Sequence, residues 1–502
     1  MILGQLCFET MRLEYITKVI QPLTLKGPET CEIEGVAYDS RQVRPGFLFV
    51  ALPGRHVTGA DFIGDAVQRG AVAVVSENPD GSRRDVTHIC VEDARLALAE
   101  IACAFFGEPS AKLKMVGITG TNGKSTTSFM IRDVFKAVGL APGLIGTIQY
   151  EIGERMIPAT RTTPEAPDIQ SMLDKMVRSG CKSAVMEVSS HGLDQKRVWG
   201  IDFDVGVFTN LTQDHLDYHR TMESYFAAKT LLFRSLGQLE KKASAVINID
   251  DRWGMELANT NGSQAQLVTY GLHPSAMVRA ENVELSPVGS AFDVTTPWGE
   301  TPVRLNLLGR FNVFNALSAM AACGTQGISP DTAARILGEM VSVPGRLERI
   351  PNHRGLHIYV DYAHTDDALL NVLQTLREIA KKKVLLVFGC GGDRDQAKRS
   401  KMGAVAARYA DYAIITSDNP RTEDPAKIIE MIRDGFGDAT HYEIEIDREK
   451  AIGQALSTAQ EGDTVLIAGK GHENYQEFAN TVIPFDDRDV VRELLKKTSV
   501  KG

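Results

Sequence analysis

The chain is poor in cysteine, has no long apolar run and carries no excess of basic residues. Its seven cysteines lie far apart among 502 residues and no two form a CxxC pair, so neither a zinc site nor a disulfide framework is indicated. No stretch approaches the roughly 20 apolar residues that cross a bilayer, so we expect no membrane insertion. Few, scattered cysteines are typical of reducing compartments, and we expect a cytoplasmic protein.

Composition and charge narrow the class of protein further. Apolar residues make up 43% and charged residues 24% of the chain, as in folded globular proteins. The 55 basic and 64 acidic side chains sum to −9, which disfavours a globally basic nucleic-acid binder but leaves room for a local basic patch. At about 150 residues per domain, the length predicts about three domains.

The N-terminus does not have the pattern of a secretion signal. Residues 1–13 have an apolar start but no basic region, and Glu9 falls where the apolar stretch would continue. A second methionine, Met11, offers a more ordinary start. We therefore expect residues 1–10 to be an extension of no structural importance.

Alternating strand-like and helical stretches divide the chain into three blocks, residues 1–108, 109–343 and 344–502. In the second and third blocks the alternation predicts parallel sheets covered by helices, and the first reads as a smaller α/β unit. The expected fold class is therefore α/β. The predicted strands are residues 46–52, 71–76, 88–91, 114–119, 183–188, 204–210, 356–361, 383–389, 410–417 and 464–468.

Two helices are predicted from their apolar spacing. In the first block, Leu98 begins a helical pattern at i, i+3, i+4, i+7 that is stopped by Gly107 and Pro109. In the second, Val138 is expected to share one helix face with Ile131, Val134 and Phe135 before Gly139 ends the helix.

The sharpest chemical signal is the glycine-rich segment GITGTNGKST at residues 117–126, between a predicted strand and a predicted helix. Such glycines let backbone N–H groups approach phosphate oxygens, Lys124 can reach the terminal phosphates, and Ser125 can ligate Mg²⁺. One residue more than in the usual pattern separates Gly117 from Gly123. The Gly-Lys-Ser ending favours nucleoside triphosphate binding over a plain glycine turn.

Of three further polar residues, two allow more than one interpretation. Glu187 follows an apolar strand and is either a magnesium ligand beside the phosphate loop or an exposed strand-end residue. His215, in NLTQDHLD, is either a metal ligand or a capping side chain. Lys229 looks like an ordinary lysine on a helix surface.

Other polar segments also follow strands. Thr162 and Thr163 offer hydroxyls for phosphate or sugar contacts, or an N-cap before Glu165. In the third block four strand ends carry polar or glycine-rich turns, and parallel strands would bring them to one sheet edge. Arg394 and Arg421 would make that edge a receptor for a carboxylate. The four turns are residues 361–364, 389–395, 417–421 and 468–473.

Seven motifs, in order and spacing, resemble those of the Mur ligases over almost the whole chain. They are GTNGKST, EVSSHG, DHLD with the later AAK, GRFNVFN, PGRLE, DYAH and TSDNPR. The resemblance implies an N-terminal UDP-sugar-binding domain at 1–108, a central ATP-binding domain at 109–343 and a C-terminal Rossmann-like domain at 344–502 that binds the amino acid.

The resemblance also implies a reaction. Mur ligases phosphorylate a substrate carboxylate with ATP, and an amine then attacks the acyl phosphate to form an amide. The DNPR segment is typical of members that add meso-2,6-diaminopimelate to the D-Glu of UDP-MurNAc-L-Ala-D-Glu in peptidoglycan synthesis. Arg421 with Arg394 would clamp the second carboxylate of this amino acid. A monomer using ATP and Mg²⁺ is expected.

The same resemblance assigns residues to roles. The catalytic set is Lys124, Glu187, His215 and Lys229, and the metal ligands are Ser125, Glu187, His215 and Lys229, the last being carbamylated in the family. ATP would contact Gly120, Thr121, Asn122, Gly123, Lys124, Ser125, Thr126, Asn312, Arg346 and Asp361. The UDP-sugar-peptide would contact Tyr38, Ser40, Arg55, His56, Val57, Thr162, Thr163, Ser189, Gln195 and Arg197. Diaminopimelate would contact Arg394, Asp418, Asn419, Pro420, Arg421, Gly469 and Glu473.

One position departs from the family pattern, and three alternatives stay open. Asp366 replaces the usual proline after DYAHT, which puts the rigidity of that turn in doubt. The alternatives are a lysine-adding ligase, a folylpolyglutamate-synthetase-like ligase, and a P-loop module that hydrolyses ATP without ligation. The TTP, EVSSHGLDQ and DNPR segments argue against the second, and the two arginines against the third.

Overall fold

The computed structural model describes residues 10–54, 58–78, 86–260, 262, 264–479 and 481–499. The predicted contacts Arg55, His56 and Val57 lie outside these ranges, and so does the predicted N-terminal extension apart from Thr10. The described part of the chain contains no helix that is both long enough and apolar enough to cross a membrane.

The N-terminal region is built on a five-stranded sheet in the order β2-β7-β6-β5-β4, parallel except for the β2–β7 pair. The strands of this sheet are β2 (Thr24–Lys26), β4 (Gly35–Ala37), β5 (Phe47–Val50), β6 (Ala71–Ser76) and β7 (Thr87–Cys90), whereas β1 (Met11–Arg12) and β3 (Glu32–Ile33) form a separate antiparallel pair. The helices are α1 (Leu13–Ile20), α2 (Ile63–Gln68) and α3 (Ala94–Phe105). Helix α3 starts where the Asp93 carboxylate accepts from the Leu96 N–H, and it buries Leu98 and Ile101 against the sheet as its spacing predicts.

The central region contains an eleven-stranded sheet in the order β11-β10-β9-β12-β8-β13-β14-β15-β16-β17-β18. Its strands are β8 (Lys114–Thr119), β9 (Pro142–Ile145), β10 (Gln149–Ile152), β11 (Arg155–Pro158), β12 (Ser183–Glu187), β13 (Val205–Phe208), β14 (Ser244–Asn248), β15 (Gln266–Gly271), β16 (Val278–Ser286), β17 (Gly289–Thr296) and β18 (Gly299–Leu305). The seven strands from β9 to β16 in this order are parallel. Antiparallel pairs at both edges, β10–β11 and β16–β17–β18, were not predicted.

Eight helices cover this sheet within the described residues. They are α4 (Lys124–Ala137), α5 (Ala166–Arg178), α6 (Ser190–Asp194), α7 (Leu216–His219), α8 (Met222–Ser235), α9 (Arg252–Thr260), α10 (Arg310–Thr325) and α11 (Pro330–Glu339). The predicted face of α4 is wrong at one position. The helix ends at Ala137, so Val138 lies beyond it and is exposed, whereas Ile131, Val134 and Phe135 are fully buried.

The C-terminal region has a six-stranded sheet in the order β19-β20-β24-β21-β22-β23, parallel except at β19. Its strands are β19 (Glu348–Ile350), β20 (His357–Asp361), β21 (Val384–Phe388), β22 (Tyr412–Ile415), β23 (Tyr442–Ile444) and β24 (Thr464–Ala468), with a separate hairpin of β25 (Tyr475–Phe478) and β26 (Thr481–Pro484). The helices are α12 (Asp366–Ile379), α13 (Ala397–Tyr409), α14 (Pro425–Arg433), α15 (Arg448–Thr458) and α16 (Asp487–Ser499). Short 3₁₀ segments occur at Ser40–Gln42, Gly59–Phe62, Pro109–Lys112 and Asp434–Phe436.

The predicted α/β fold with a mostly parallel central sheet is confirmed. Apolar clusters cover both faces of the central sheet and both faces of the C-terminal sheet, which is the burial that parallel strands require. Because parallel strands end at one edge, the loops after β8, β12 and β13 are neighbours, and so are the loops after β20, β21, β22 and β24. These two edges carry the polar segments of the candidate site.

Candidate active site

The phosphate loop joins β8 directly to α4. Gly123 has φ +86°, a left-handed conformation that a side chain would strain, and α4 begins at the next residue. Lys124 Nζ donates to the carbonyl oxygens of Gly120 at 3.0 Å and Thr121 at 2.8 Å. The ammonium thus lies over the loop, at the positive end of the helix, where a phosphate group would be bound.

Glu187 is buried beside this loop. Its side chain is 1% exposed, so the alternative of an exposed strand-end residue is wrong. Ser125 Oγ and Thr147 Oγ1 donate to Glu187 Oε2 at 3.1 and 2.9 Å, and the Thr147 N–H donates to Oε1 at 2.9 Å. A hydroxyl and a carboxylate at a helix N-terminus are the hard oxygen donors that Mg²⁺ prefers, so this pair fits that ion.

Lys229 is not a surface residue, and the prediction from its local sequence is wrong. Its side chain is 1% exposed because this face of α8 packs beneath the phosphate loop. Nζ donates to the Gly120 carbonyl at 2.8 Å and lies 4.5 Å from the centre of the Tyr225 ring. Burial, with Lys124 nearby, holds the pKa of Lys229 well below its ordinary value, which favours a neutral amine.

His215 lies just before α7 with φ +53° and makes no side-chain capping bond, so the capping alternative is wrong. Its Nε2 lies 3.4 Å from Asp214 Oδ2, and its ring is 4.9 Å from that of His191. Partial burial lowers the pKa of His215, which favours the neutral imidazole that metals bind. Across the described ranges, no group of three or more His, Cys, Asp or Glu side chains is placed so that it could hold a metal ion.

A second cluster links β12 to the segment before α5. Thr163 Oγ1 donates to the Glu187 carbonyl at 2.9 Å and accepts from the Ser189 N–H at 2.9 Å. Arg197 donates to the Thr163 carbonyl at 2.8 Å and to Gln195 Oε1 at 2.6 Å. The structure therefore brings together four of the residues predicted to contact the UDP-sugar-peptide.

Two more predicted contacts lie next to this cluster. Thr162 Oγ1 is 2.9 Å from Thr147 Oγ1, and Tyr38, from the N-terminal region, donates to Asp168 at 2.7 Å. The N-cap alternative for the two threonines is wrong, because Glu165 occupies the N-cap position of α5, no side chain makes a capping hydrogen bond there, and the helix begins at Ala166. Ser40 is buried in the 3₁₀ segment that follows Tyr38.

Predicted nucleotide contacts from later in the chain lie across from the loop. Arg346 donates from Nη2 to Ser125 Oγ at 3.2 Å and stacks 4.9 Å from the centre of the Tyr362 ring. Asp361 accepts from the N–H groups of Leu347 and Ala363, which shapes the turn that carries Arg346. Asn312 is buried in α10 and donates to the Leu308 carbonyl at 2.8 Å.

The turn that contains Asp366 is well defined although the usual proline is missing. Thr365 caps α12 by accepting from the Ala368 N–H, and Asp366 is the first helical residue. Proline is favoured there because that N–H has no partner in the helix, and an aspartate is favoured because it faces the positive end of the helix dipole.

A cavity of about 1230 Å³ separates the two sheet edges. The central region contributes Thr147, Thr162 and His215, among others, to its lining. Of the residues predicted to bind diaminopimelate, it is lined by Arg394, Asp418, Asn419, Arg421, Gly469 and Glu473. Pro420 is buried. The four strand ends of the C-terminal sheet converge on this cavity, as the sequence predicts. They lie opposite Thr147 and His215 of the central region.

Buried ionic contacts hold the wall of this cavity. Lys470 is 0% exposed, and its Nζ donates to Asn419 Oδ1 at 3.0 Å and to Glu473 Oε2 at 3.2 Å. Asn419 Nδ2 donates to the same Glu473 oxygen at 2.9 Å. Burial raises the pKa of Glu473. Neither Lys470 nor Thr147 is predicted from the sequence as a site residue, because a buried lysine or threonine has no distinctive local pattern.

Comparison with known proteins agrees with this architecture. Three family models match the chain: "Mur ligase family, catalytic domain" at residues 32–106, "Mur ligase middle domain" at 118–323 and "Mur ligase, glutamate ligase domain" at 345–471. The UDP-N-acetylmuramoyl-L-alanyl-D-glutamate--2,6-diaminopimelate ligase of Geobacter metallireducens is 47% identical, and the alignment covers 98% of this chain and 100% of the relative.

Solved structures are similar as well. A UDP-N-acetylmuramoyl-L-alanyl-D-glutamate--2,6-diaminopimelate ligase aligns at a TM-score of 0.71 with 34% identity, covering 98% of this chain and 100% of the other. The MurF ligase of Thermotoga maritima, solved in complex with ADP, shares the fold at a TM-score of 0.61 with 19% identity, covering 93% and 98% of the two chains. With a relative this similar over its full length, the chain belongs to the Mur ligase family.

Proposed function

We propose that this protein is an ATP-dependent amide ligase that joins meso-2,6-diaminopimelate to the D-Glu carboxylate of UDP-MurNAc-L-Ala-D-Glu. The Geobacter relative that carries this activity in its name is aligned over its whole length. The observation that carries the proposal is the placement of the DNPR segment: Asp418, Asn419 and Arg421 lie with Arg394 on the wall of a cavity that is also lined by Thr147 and His215 of the central region.

The reaction needs an activated carboxylate. An oxygen of the D-Glu carboxylate attacks the γ-phosphorus of ATP, ADP leaves, and an acyl phosphate forms. The amine of diaminopimelate attacks the acyl carbon, loses a proton, and the tetrahedral adduct expels inorganic phosphate. The phosphate loop and Lys124 hold the phosphates during the first step, and Arg346, next to Ser125, adds a second cation.

Magnesium is the expected metal. Ser125 and Glu187 would hold one ion, and His215 with Lys229 would hold a second; when bound, these ions would neutralise charge on the phosphate oxygens. For Lys229 to be a ligand it must first become an anion. Its neutral, buried amine is suited to add to CO₂, which forms an N–C bond and releases a proton to leave a carbamate.

Each of the three regions is assigned one substrate. We propose domains at 1–108, 109–343 and 344–502 that bind the UDP-sugar, ATP and the incoming amino acid, and the three larger sheets, one in each region, support this division. Because the reaction consumes ATP, we place it in the cytoplasm. The expected monomer stays a prediction, which light scattering would test.

The test is a substrate comparison at fixed ATP and UDP-MurNAc-L-Ala-D-Glu. We expect phosphate release with meso-diaminopimelate and far less with L-lysine or L-ornithine, because only the first carries a distal carboxylate for the arginines. Arg421→Ala should remove the preference mainly through a higher KM for diaminopimelate. Equal use of lysine would contradict the specificity, and phosphate release without any amine would contradict ligation.

A further inference from the structure

The hairpin of β25 and β26 forms a support for the DNPR segment. Gln476 Nε2 donates to the Asp418 carbonyl at 2.9 Å, and the Glu477 N–H donates to Asn419 Oδ1 at 3.1 Å. Arg421 forms an isolated parallel bridge with Phe478. The segment predicted to read the amino acid is therefore shaped by a hairpin that lies more than 50 residues later in the chain.

Glu477 contacts Arg421 twice. The Arg421 N–H donates to the Glu477 carbonyl at 3.0 Å, and Arg421 Nε donates to Glu477 Oε2 at 3.0 Å. Arg421 has φ +50°, a conformation that costs energy for a residue with a side chain and persists only where neighbours enforce it. Glu477 thus fixes both the strained backbone of Arg421 and the base of its guanidinium group.

The remaining contacts orient the guanidinium toward the cavity. Nη1 donates to the Gly392 carbonyl at 2.8 Å, so two of the three nitrogens are held by protein acceptors. Arg421 lines the cavity, and Glu477 contacts its guanidinium at Nε, the nitrogen nearest the side-chain stem. The Nη2 end is then the part of the group that is available to a ligand carboxylate.

We propose that Glu477 is a positioning residue for amino acid selection: it holds Arg421 so that the guanidinium is preorganised for the distal carboxylate of the incoming amino acid. The inference rests on the proposed function. A hydrogen bond to a charged group that fixes a long side chain before the ligand binds lowers the conformational entropy that this side chain loses on binding. Removing Glu477 should therefore weaken binding although Glu477 does not touch the ligand.

The test compares Glu477→Ala and Glu477→Gln with the unmodified protein in steady-state kinetics. For Glu477→Ala we expect the KM for meso-diaminopimelate to rise about tenfold, because one hydrogen bond to a charged group is lost. The kcat and the KM for ATP should be unchanged. Glu477→Gln keeps an oxygen acceptor for Nε and should recover part of this loss. Glu430→Ala, an exposed residue of α14, is the matched control and should behave like the unmodified protein.

A double-mutant cycle separates positioning from general damage to the fold. If Glu477 acts through Arg421, Glu477→Ala should lower kcat/KM no further once Arg421→Ala is present. An unchanged or lower KM in Glu477→Ala would overturn the inference, the lower value showing that Glu477 competes with the ligand for Arg421. Additive losses would also overturn it. If the unmodified protein shows no preference for diaminopimelate over lysine, the proposed specificity fails first and the inference fails with it.

Discussion

The phosphate loop and the DNPR wall of the cavity are built in opposite ways. The loop is one continuous segment between β8 and α4, and the groups that we propose for phosphate binding are its backbone amides and Lys124, the first residue of α4. The DNPR wall combines the ends of four strands, the buried Lys470 and a hairpin beyond them. A recurrent chemical group, phosphate, can be bound by a local motif, whereas a particular amino acid side chain needs groups from distant parts of the chain.

The largest expected effect concerns a residue outside the phosphate loop, and it tests whether activity depends on that loop segment alone. Lys229 reaches the loop from α8, and Lys229→Ala should lower turnover about 100- to 1000-fold, as when one preorganised charge beside a reacting group is lost. Phosphate release measured with all three substrates checks this. Small carboxylates such as acetate should restore part of the activity if a carbamate is the missing anion.

The matched control for this substitution is Glu223→Ala, an exposed residue on the same helix that should have full activity. Full activity of Lys229→Ala would refute the assignment of Lys229. Loss of activity in both variants would point to damage of α8 instead.

A smaller effect is expected at the DNPR wall. A Cβ added at Gly392 would overlap the Pro420 carbonyl, so Gly392→Ala must displace the loop that also accepts from Arg421 Nη1. We expect the KM for diaminopimelate to rise about tenfold or more, because small displacements of a binding group are costly, while the KM for ATP stays unchanged. An equal rise in both KM values would show that the ATP site and the diaminopimelate site are not independent of each other.

The smallest effect is expected at a glycine of the same domain that packs loosely. An added Cβ at Gly453, inside α15, would meet only Leu494 at 3.8 and 3.9 Å, which is ordinary contact. Gly453→Ala should therefore raise the free energy of unfolding by about 0.5–1 kcal/mol through helix propensity, with unchanged kinetic constants. Urea denaturation monitored by circular dichroism measures this, and a loss of stability would contradict it.

The fold was predicted better than the site. Residues 71–76, 114–119 and 464–468 were predicted as strands with the observed bounds, because apolar runs between turn residues report burial directly. None of the edge strands β10, β11, β17 and β18 is predicted from the sequence; β11 is exposed along its whole length, and the partners of all four are set by the sheet. Val138 was misplaced because periodicity does not show where a helix ends.

At the site, the wrong predictions also concern features that depend on residues distant in sequence. Lys229 was interpreted as a surface residue because its neighbours in sequence say nothing of the loop packed above α8. The sequence allows two interpretations of Glu187 and two of Thr162 and Thr163. The burial and the hydrogen bonds of these residues decide between them. Glu477 gave no signal at all, because a glutamate in a short strand is common.

The sequence by itself determined the α/β class, the phosphate-binding loop and the strand ends that carry polar turns, because these depend on residues close together in the chain. Only the tertiary structure decided which of those groups are buried, paired and aimed at a common cavity. Burial and pairing depend on contacts between residues distant in sequence, such as Ser125 with Glu187 and Arg421 with Glu477. Those contacts set both the electrostatics around Ser125 and Glu187 and the orientation of Arg421 in the cavity wall.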